Sequence, residues 1–208
     1  MKLAVLAGLT AFMAVADPAI FYSKHFPGSV PAYVSVELTK DGTAVYKESP
    51  DDQEPVSFKL PAKESIEIFE LADKLERFKR PLEANLKVAN MGTKTFRYEN
   101  GAEKHEVKFN FSLDESAKVL LDAFEKITET QQLLFMLERS VKFDRLGVNK
   151  TLLQVESAFD RGRLIGPERF LPMLDRVVKN DSYLNMARER AAFLAESFRN
   201  PRPKPTPE

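Results

Sequence analysis

Two histidines are the first residues whose chemistry needs an explanation. His105 lies between Glu103 and Glu106, and a histidine beside carboxylates can bind a metal or transfer a proton. A metal site needs three or four converging ligands, however, and the chain contains only 2 histidines. We therefore predict no metal site and place His105 in a packing role at the rim of a hairpin. His25 lies near the expected start of the mature protein, and we predict that it is mobile.

Three carboxylates are the other candidates for catalysis. Glu156 and Asp160 are one helical turn apart and are followed by Arg161 and Arg163, while Asp144 precedes them. Two carboxylates can hydrolyse a glycosidic bond without histidine or cysteine. Carboxylates one turn apart beside arginines more often form an ion-paired helix surface, which is our prediction here. A carboxylate-dependent hydrolase built on Glu156, Asp160 and Asp144 is the alternative.

The remaining catalytic and cofactor chemistries lack their residues. The chain has no cysteine, no Gly-x-Ser-x-Gly nucleophile motif and no glycine-rich phosphate loop, with 8 glycines in all. We therefore predict neither a catalytic triad nor a bound cofactor. Arg188 and Arg190 could fix a carboxylate on a partner, but they lie opposite an apolar stripe and are predicted to form a solvated helix face.

Composition limits the partners. The 208 residues include 31 basic and 31 acidic side chains, which gives a formal net charge of zero. Without an excess of positive charge, we expect no nucleic acid and no anionic membrane surface as a partner. A protein or a small extracytoplasmic ligand is the expected class of partner.

The N-terminal segment predicts export. Lys2 precedes an apolar run over residues 3–15, and the run ends in Ala14-Val15-Ala16, a small-x-small cleavage site. The run is shorter than the roughly 20 apolar residues that span a bilayer. We predict a signal peptide over residues 1–16, cleaved between Ala16 and Asp17, and a periplasmic or secreted bacterial protein. An uncleaved anchor is the alternative.

Two hairpins organise the middle of the chain. Asp41-Gly42 and Asn100-Gly101 are turn pairs that lie between alternating apolar segments. Two-residue turns at these pairs would place Leu38 opposite Val45 and Val36 opposite Lys47 in the first hairpin. In the second they would place Tyr98 opposite Glu103 and Phe96 opposite His105. The outward positions would then form a mixed surface suited to a partner: Tyr33, Tyr46, Lys104, Glu106, Lys108 and Asn110.

A helix is expected after each hairpin, and three more follow. The first, over residues 62–79, has an apolar stripe that includes Ile66 and Phe69. The second, over residues 114–146, begins with Ser112 and Glu115 in capping-box spacing. It would reach roughly 50 Å, further than a small sheet, so its far half needs another partner. Three amphipathic segments, over residues 150–161, 172–179 and 181–198, are predicted to supply it.

The first hairpin also carries a family resemblance. Pro31, Tyr33, the Asp41-Gly42 turn and Tyr46 resemble the Pro-x-Tyr, Asp-Gly and Tyr pattern of an uncharacterised bacterial exported domain family of unknown function. The resemblance covers residues 31–127 and implies export and a similar fold, without implying an activity.

These observations together predict an α+β fold. We expect an antiparallel sheet of about five strands, formed by two hairpin-helix units over residues 17–146. An all-helical extension over residues 147–199 would pack on the long second helix, and a proline-rich tail over residues 200–208 would be disordered. The predicted function is an exported, non-enzymatic binding or protein-interaction module.

Overall fold

The computed structural model describes residues 17–200, which form six strands and five α-helices. The predicted signal peptide and residues 201–208 of the proline-rich tail lie outside the described residues. The strands are β1 Ala19–His25, β2 Tyr33–Thr39, β3 Thr43–Lys47, β4 Val56–Lys59, β5 Thr93–Asn100 and β6 Glu103–Phe109. The helices are α1 Ala62–Lys74, α2 Glu115–Phe143, α3 Val148–Asp160, α4 Leu171–Val178 and α5 Asn185–Arg199.

The strands form one antiparallel sheet in the order β4-β3-β2-β1-β5-β6. The predicted α+β class is confirmed, and the sheet has one strand more than the expected five. The additional strand is β1, which pairs with β2 on one side and β5 on the other and so joins the two hairpins. His25 ends this strand opposite Tyr33 and Thr93, so the prediction that His25 is mobile was wrong.

The first hairpin has a longer turn than the two residues predicted. Leu38 pairs with Ala44 and Val36 with Tyr46, so three residues separate the ends of β2 and β3. Gly42 closes the turn with a φ of +88°, which is typical of a three-residue hairpin loop. The additional residue shifts the register by one, and a shift by one moves side chains to the other face. Tyr46 is therefore buried against the helices instead of facing outward.

The second hairpin shifts by two residues. Tyr98 pairs with His105 and Phe96 with Val107, and the turn consists of Gly101 and Ala102 instead of Asn100 and Gly101. A shift by two leaves every side chain on its predicted face, because side chains in a strand alternate with a period of two. His105 therefore remains on the same face as Phe96, as predicted.

Two apolar cores lie along α2. The first half of α2 and α1 cover one face of the sheet, where Tyr22, Phe96 and Phe124 are fully buried. The second half packs with α3, α4 and α5 around Leu137, Leu152 and Leu194. The C-terminal part is helical, as predicted. None of the helices within residues 17–200 is long and apolar enough to cross a membrane.

Three local helix predictions were wrong. α1 ends at Lys74, and a 3-10 turn at Glu76–Phe78 follows it. Ile66 is 57% exposed while Ile68 and Ala72 are buried, so the buried stripe runs along a different line of α1. The cap of α2 is Asp114, whose side chain accepts a hydrogen bond from the Ala117 N–H. Ser112 is not the cap that was predicted, and its hydroxyl oxygen instead accepts a 3.3 Å hydrogen bond from the Asp114 N–H.

Candidate functional site

His105 belongs to an ion-paired cluster at the rim of the sheet. Its Nε2 lies 3.3 Å from Glu103 Oε1. The Glu103 carboxylate also pairs with Arg77 Nη1 at 3.1 Å and with Lys79 Nζ at 3.2 Å. The hydrogen bond from Lys79 is the main reason that the pKa of Glu103 is lowered. Across residues 17–200, no three His, Cys, Asp or Glu side chains group in a way that could hold a metal ion.

The three candidate catalytic carboxylates lie along α3. Asp144 precedes the helix and accepts a hydrogen bond from the Gly147 N–H at 2.9 Å, whereas Asp160 ends it in an exposed position. Asp144 and Asp160 thus lie at opposite ends of α3, whose 13 residues make it about 20 Å long, so these two carboxylates are further apart than the roughly 5–9.5 Å of a catalytic pair. Glu156, one turn before Asp160, accepts a 2.7 Å hydrogen bond from Arg190 Nε. In this arrangement, Glu156 forms an ion pair with Arg190.

The two arginines of α5 hold neighbouring segments. Arg190 binds Asn149 as well as Glu156, so it joins α5 to α3. Arg188 donates to the Val178 carbonyl at 3.2 Å and pairs with Asp181 at 2.8 Å, which ties α5 to the end of α4. Their contacts are structural links within the helical part.

The open face of the sheet carries charges that pair with one another. Arg97 lies 4.2 Å above the ring of Phe21 and 2.8 Å from Glu99, and Glu99 also pairs with Lys104 at 2.7 Å. Lys108 pairs with Glu106 at 3.3 Å. No single sign of charge dominates this face, so it does not specify the charge of a partner.

A cavity of about 260 Å³ lies between one end of the sheet and α2. Its wall includes apolar side chains from the segment before β5, from β6 and from α2, together with three lysines and two carboxylates. We call it the lysine cavity and define it by Met91, Phe109, Leu121, Lys24, Lys94 and Glu125. An apolar pocket with a few converging polar groups is the usual form of a small-ligand site.

The two lysines are direct neighbours across strands β1 and β5. Lys24 pairs with Lys94 in the register of the sheet, and both lie on the helix-covered face that carries Tyr22 and Phe96. Like charges opposite each other destabilise a sheet. Such a local conflict is expected where a protein gives up stability for function.

The environments of the two amines differ. Lys24 Nζ donates to Glu125 Oε1 at 2.9 Å and remains about one-third exposed. Lys94 is only 3% exposed, and its Nζ donates to the Asn110 carbonyl at 2.7 Å. Burial lowers the pKa of Lys94, and the positive charge of Lys24 lowers it further. Lys94 is therefore a buried amine that lacks a carboxylate ion-pair partner among residues 17–200.

Glu125 connects the lysine cavity to two further features. Tyr22 is fully buried beneath it, and its hydroxyl has no hydrogen-bond partner in the described part of the chain. Burial and the charge of Glu125 raise the pKa of Tyr22. Lys24 and Glu125 also line an adjacent groove of about 470 Å³ with Val34 and Arg163. Their ion pair thus lies in the wall of both spaces.

The sequence of β5 carries a signal for this site, although it matches no catalytic or binding motif. In residues 93–100, the alternation that puts Phe96 and Tyr98 on the core face also puts Lys94 there. A lysine in a core-facing register is rare unless it is paired. Its cross-strand neighbour, Lys24, could not be identified without β1.

No protein-family model matches the chain, and comparison with curated proteins finds no match.

Proposed function

We propose that the protein is an exported, non-enzymatic binding module that holds a small extracytoplasmic ligand in the lysine cavity. The observation that carries this proposal is the buried amine of Lys94, which has no carboxylate partner among residues 17–200 and lies in the wall of an apolar cavity. Polar groups of this kind orient ligands in apolar pockets. The cavity is smaller than the roughly 300–1,000 Å³ of drug-sized sites, which favours a compact ligand.

Ligand screening by nuclear magnetic resonance tests the proposal. With the protein purified after export from a bacterial host, we expect fragments that bind to shift the methyl signals of Met91 and Leu121. The methyl signals of Leu153, which lines a separate groove between α2 and α3, are expected to remain unchanged. Fragments that shift only Leu153, or no fragment binding at all, would contradict the proposal.

Filling the cavity provides a matched pair of variants. Leu121→Trp adds volume to the lysine cavity, whereas Leu153→Trp adds the same volume to the other groove. We expect only Leu121→Trp to abolish fragment binding. Bound compounds should be recovered chemically unchanged, and turnover of any of them would refute the non-enzymatic part of the proposal.

Export is part of the same proposal. It is supported by the sequence of residues 1–16 and by the resemblance of residues 31–127 to an exported domain family. The mass of the protein recovered from the periplasm or the medium should correspond to a chain that starts at Asp17. Retention of residues 1–16 would contradict the predicted cleavage.

A further inference from the structure

The charge balance around the lysine cavity is incomplete. Lys24 is neutralised by Glu125 at 2.9 Å, and Lys118 pairs with Glu115 at 2.7 Å. Within residues 17–200, the Lys94 amine donates only to the Asn110 carbonyl, although an ammonium group can donate three hydrogen bonds. A buried ammonium without a negative partner is unfavourable, so this position attracts a counter-charge.

We infer that the lysine cavity takes an organic monocarboxylate with a short apolar body, an inference that rests on the proposed function. The carboxylate accepts hydrogen bonds from the Lys94 ammonium, which supplies the missing counter-charge in a buried setting. The apolar body lies against Met91, Phe109 and Leu121, which line the cavity. Binding therefore covers apolar surface and pairs a buried charge in the same step.

The other charged groups around Lys94 favour a single negative charge. Asp122 and Glu125 lie in the cavity wall on α2, beside Lys118, and Lys24 faces Lys94 from β1. Glu83, which precedes β5, accepts a 2.6 Å hydrogen bond from the Asn110 N–H. Its negative charge also raises the pKa of Lys94, against the effect of burial. These carboxylates repel a dianion more strongly than a monoanion, whereas a cationic ligand would be repelled by Lys94 itself.

Three probes with the same six-carbon body separate the possibilities. Hexanoate, hexan-1-ol and hexylamine are titrated into the exported protein, with binding followed by calorimetry and by the Met91 and Leu121 methyl signals. We expect hexanoate to bind roughly ten- to a hundredfold more tightly than hexan-1-ol, because a hydrogen bond to a charged group supplies that difference. Hexylamine should bind most weakly.

Substitution of the lysine locates the preference. Lys94→Met should remove the advantage of hexanoate over hexan-1-ol, whereas Lys118→Met, a matched change in the same wall, should retain it. If Lys94→Met does not fold, the wild-type protein still provides a test. The pKa of the Lys94 amine, followed by its side-chain resonances, should rise when hexanoate saturates the site, because the anion stabilises the charged form.

Several results would overturn the inference. Equal or tighter binding of hexan-1-ol or hexylamine would show a cavity that does not select carboxylates, while the proposed binding function would stand. A full hexanoate preference in folded Lys94→Met, or an unchanged Lys94 pKa at saturation, would exclude the assigned contact. Failure of all three probes would refute the carboxylate assignment, and the fragment screen would decide separately whether the cavity binds ligands.

Discussion

Replacement of Asp114 by alanine tests how the local sequence starts the long helix. Asp114 Oδ1 accepts the Ala117 N–H at 3.0 Å, and Oδ2 accepts from Arg80 Nη2 at 2.5 Å. Loss of an N-cap typically costs about 1 kcal/mol, and loss of this partly exposed ion pair adds up to about 1 kcal/mol. We expect Asp114→Ala to lower the free energy of unfolding by about 1.5–2 kcal/mol, which is a fall in Tm of roughly 3–8 °C.

Two companion variants separate the cap from the charge. Asp114→Asn keeps an acceptor for the Ala117 N–H and removes the charge that faces Arg80, so about half of the loss is expected. Ser112→Ala removes only the 3.3 Å contact with the Asp114 N–H, and we expect a loss of roughly 0.5 kcal/mol. Urea unfolding at pH 7 measures all three. A larger loss in Ser112→Ala than in Asp114→Ala would refute this reasoning and restore the capping box.

The same residue predicts a pH dependence. The Arg80 guanidinium holds the pKa of the Asp114 carboxyl below its usual range. The unfolded chain therefore binds a proton at a pH where the folded chain does not, and stability rises with pH in that window. The charge contribution is present in full above roughly pH 4 and is lost as the pH falls through the folded pKa. The difference between wild type and Asp114→Asn should shrink in acid, and a constant difference would contradict the assignment.

Two further substitutions test the packing of each part. Tyr183→Phe removes a buried 2.9 Å hydrogen bond from the Tyr183 hydroxyl to the Val141 carbonyl. Urea unfolding should show that the free energy of unfolding falls by about 1–2 kcal/mol. An unchanged free energy of unfolding would mean that water replaces the hydroxyl. Gly92 has a φ of +85°, and an alanine Cβ there would come within 2.8 Å of Phe26 Cβ. Gly92→Ala should lower Tm more than Gly28→Ala, where φ is +93° and no other atom of the described chain would lie within 4 Å of the new Cβ. Equal falls in Tm would show that backbone conformation alone decides the effect.

The sequence predicted which segments form hairpins, but it did not predict which residues pair within them. Asp41-Gly42 and Asn100-Gly101 correctly indicated two hairpins, because these residues tolerate the backbone of a turn. The number of residues in each turn depends on contacts that the local pattern does not show, such as the bonds from Thr39, Thr43 and Lys59 to the Asp41 carboxylate. One additional residue in the first turn was enough to move Tyr46 from the predicted surface into the core.

The missed strand explains why the candidate site was also missed. Only two residues, Asp17 and Pro18, separate β1 and its apolar residues from the predicted signal peptide. Without β1, Lys24 had no position in the sheet and Lys94 had no charged neighbour. A site formed by residues on two strands and a helix depends on tertiary structure, which a search for local motifs does not detect.

The central place of β1 has a consequence for the order in which the molecule can assemble. Ala19 pairs with Thr39 on one side but with Glu99 on the other, so β1 is synthesised long before its second partner. Contacts between such distant residues are slow to form, because closing a long loop has an entropic cost. The sheet therefore stays incomplete during synthesis until residues 93–100, which form β5, have left the ribosome.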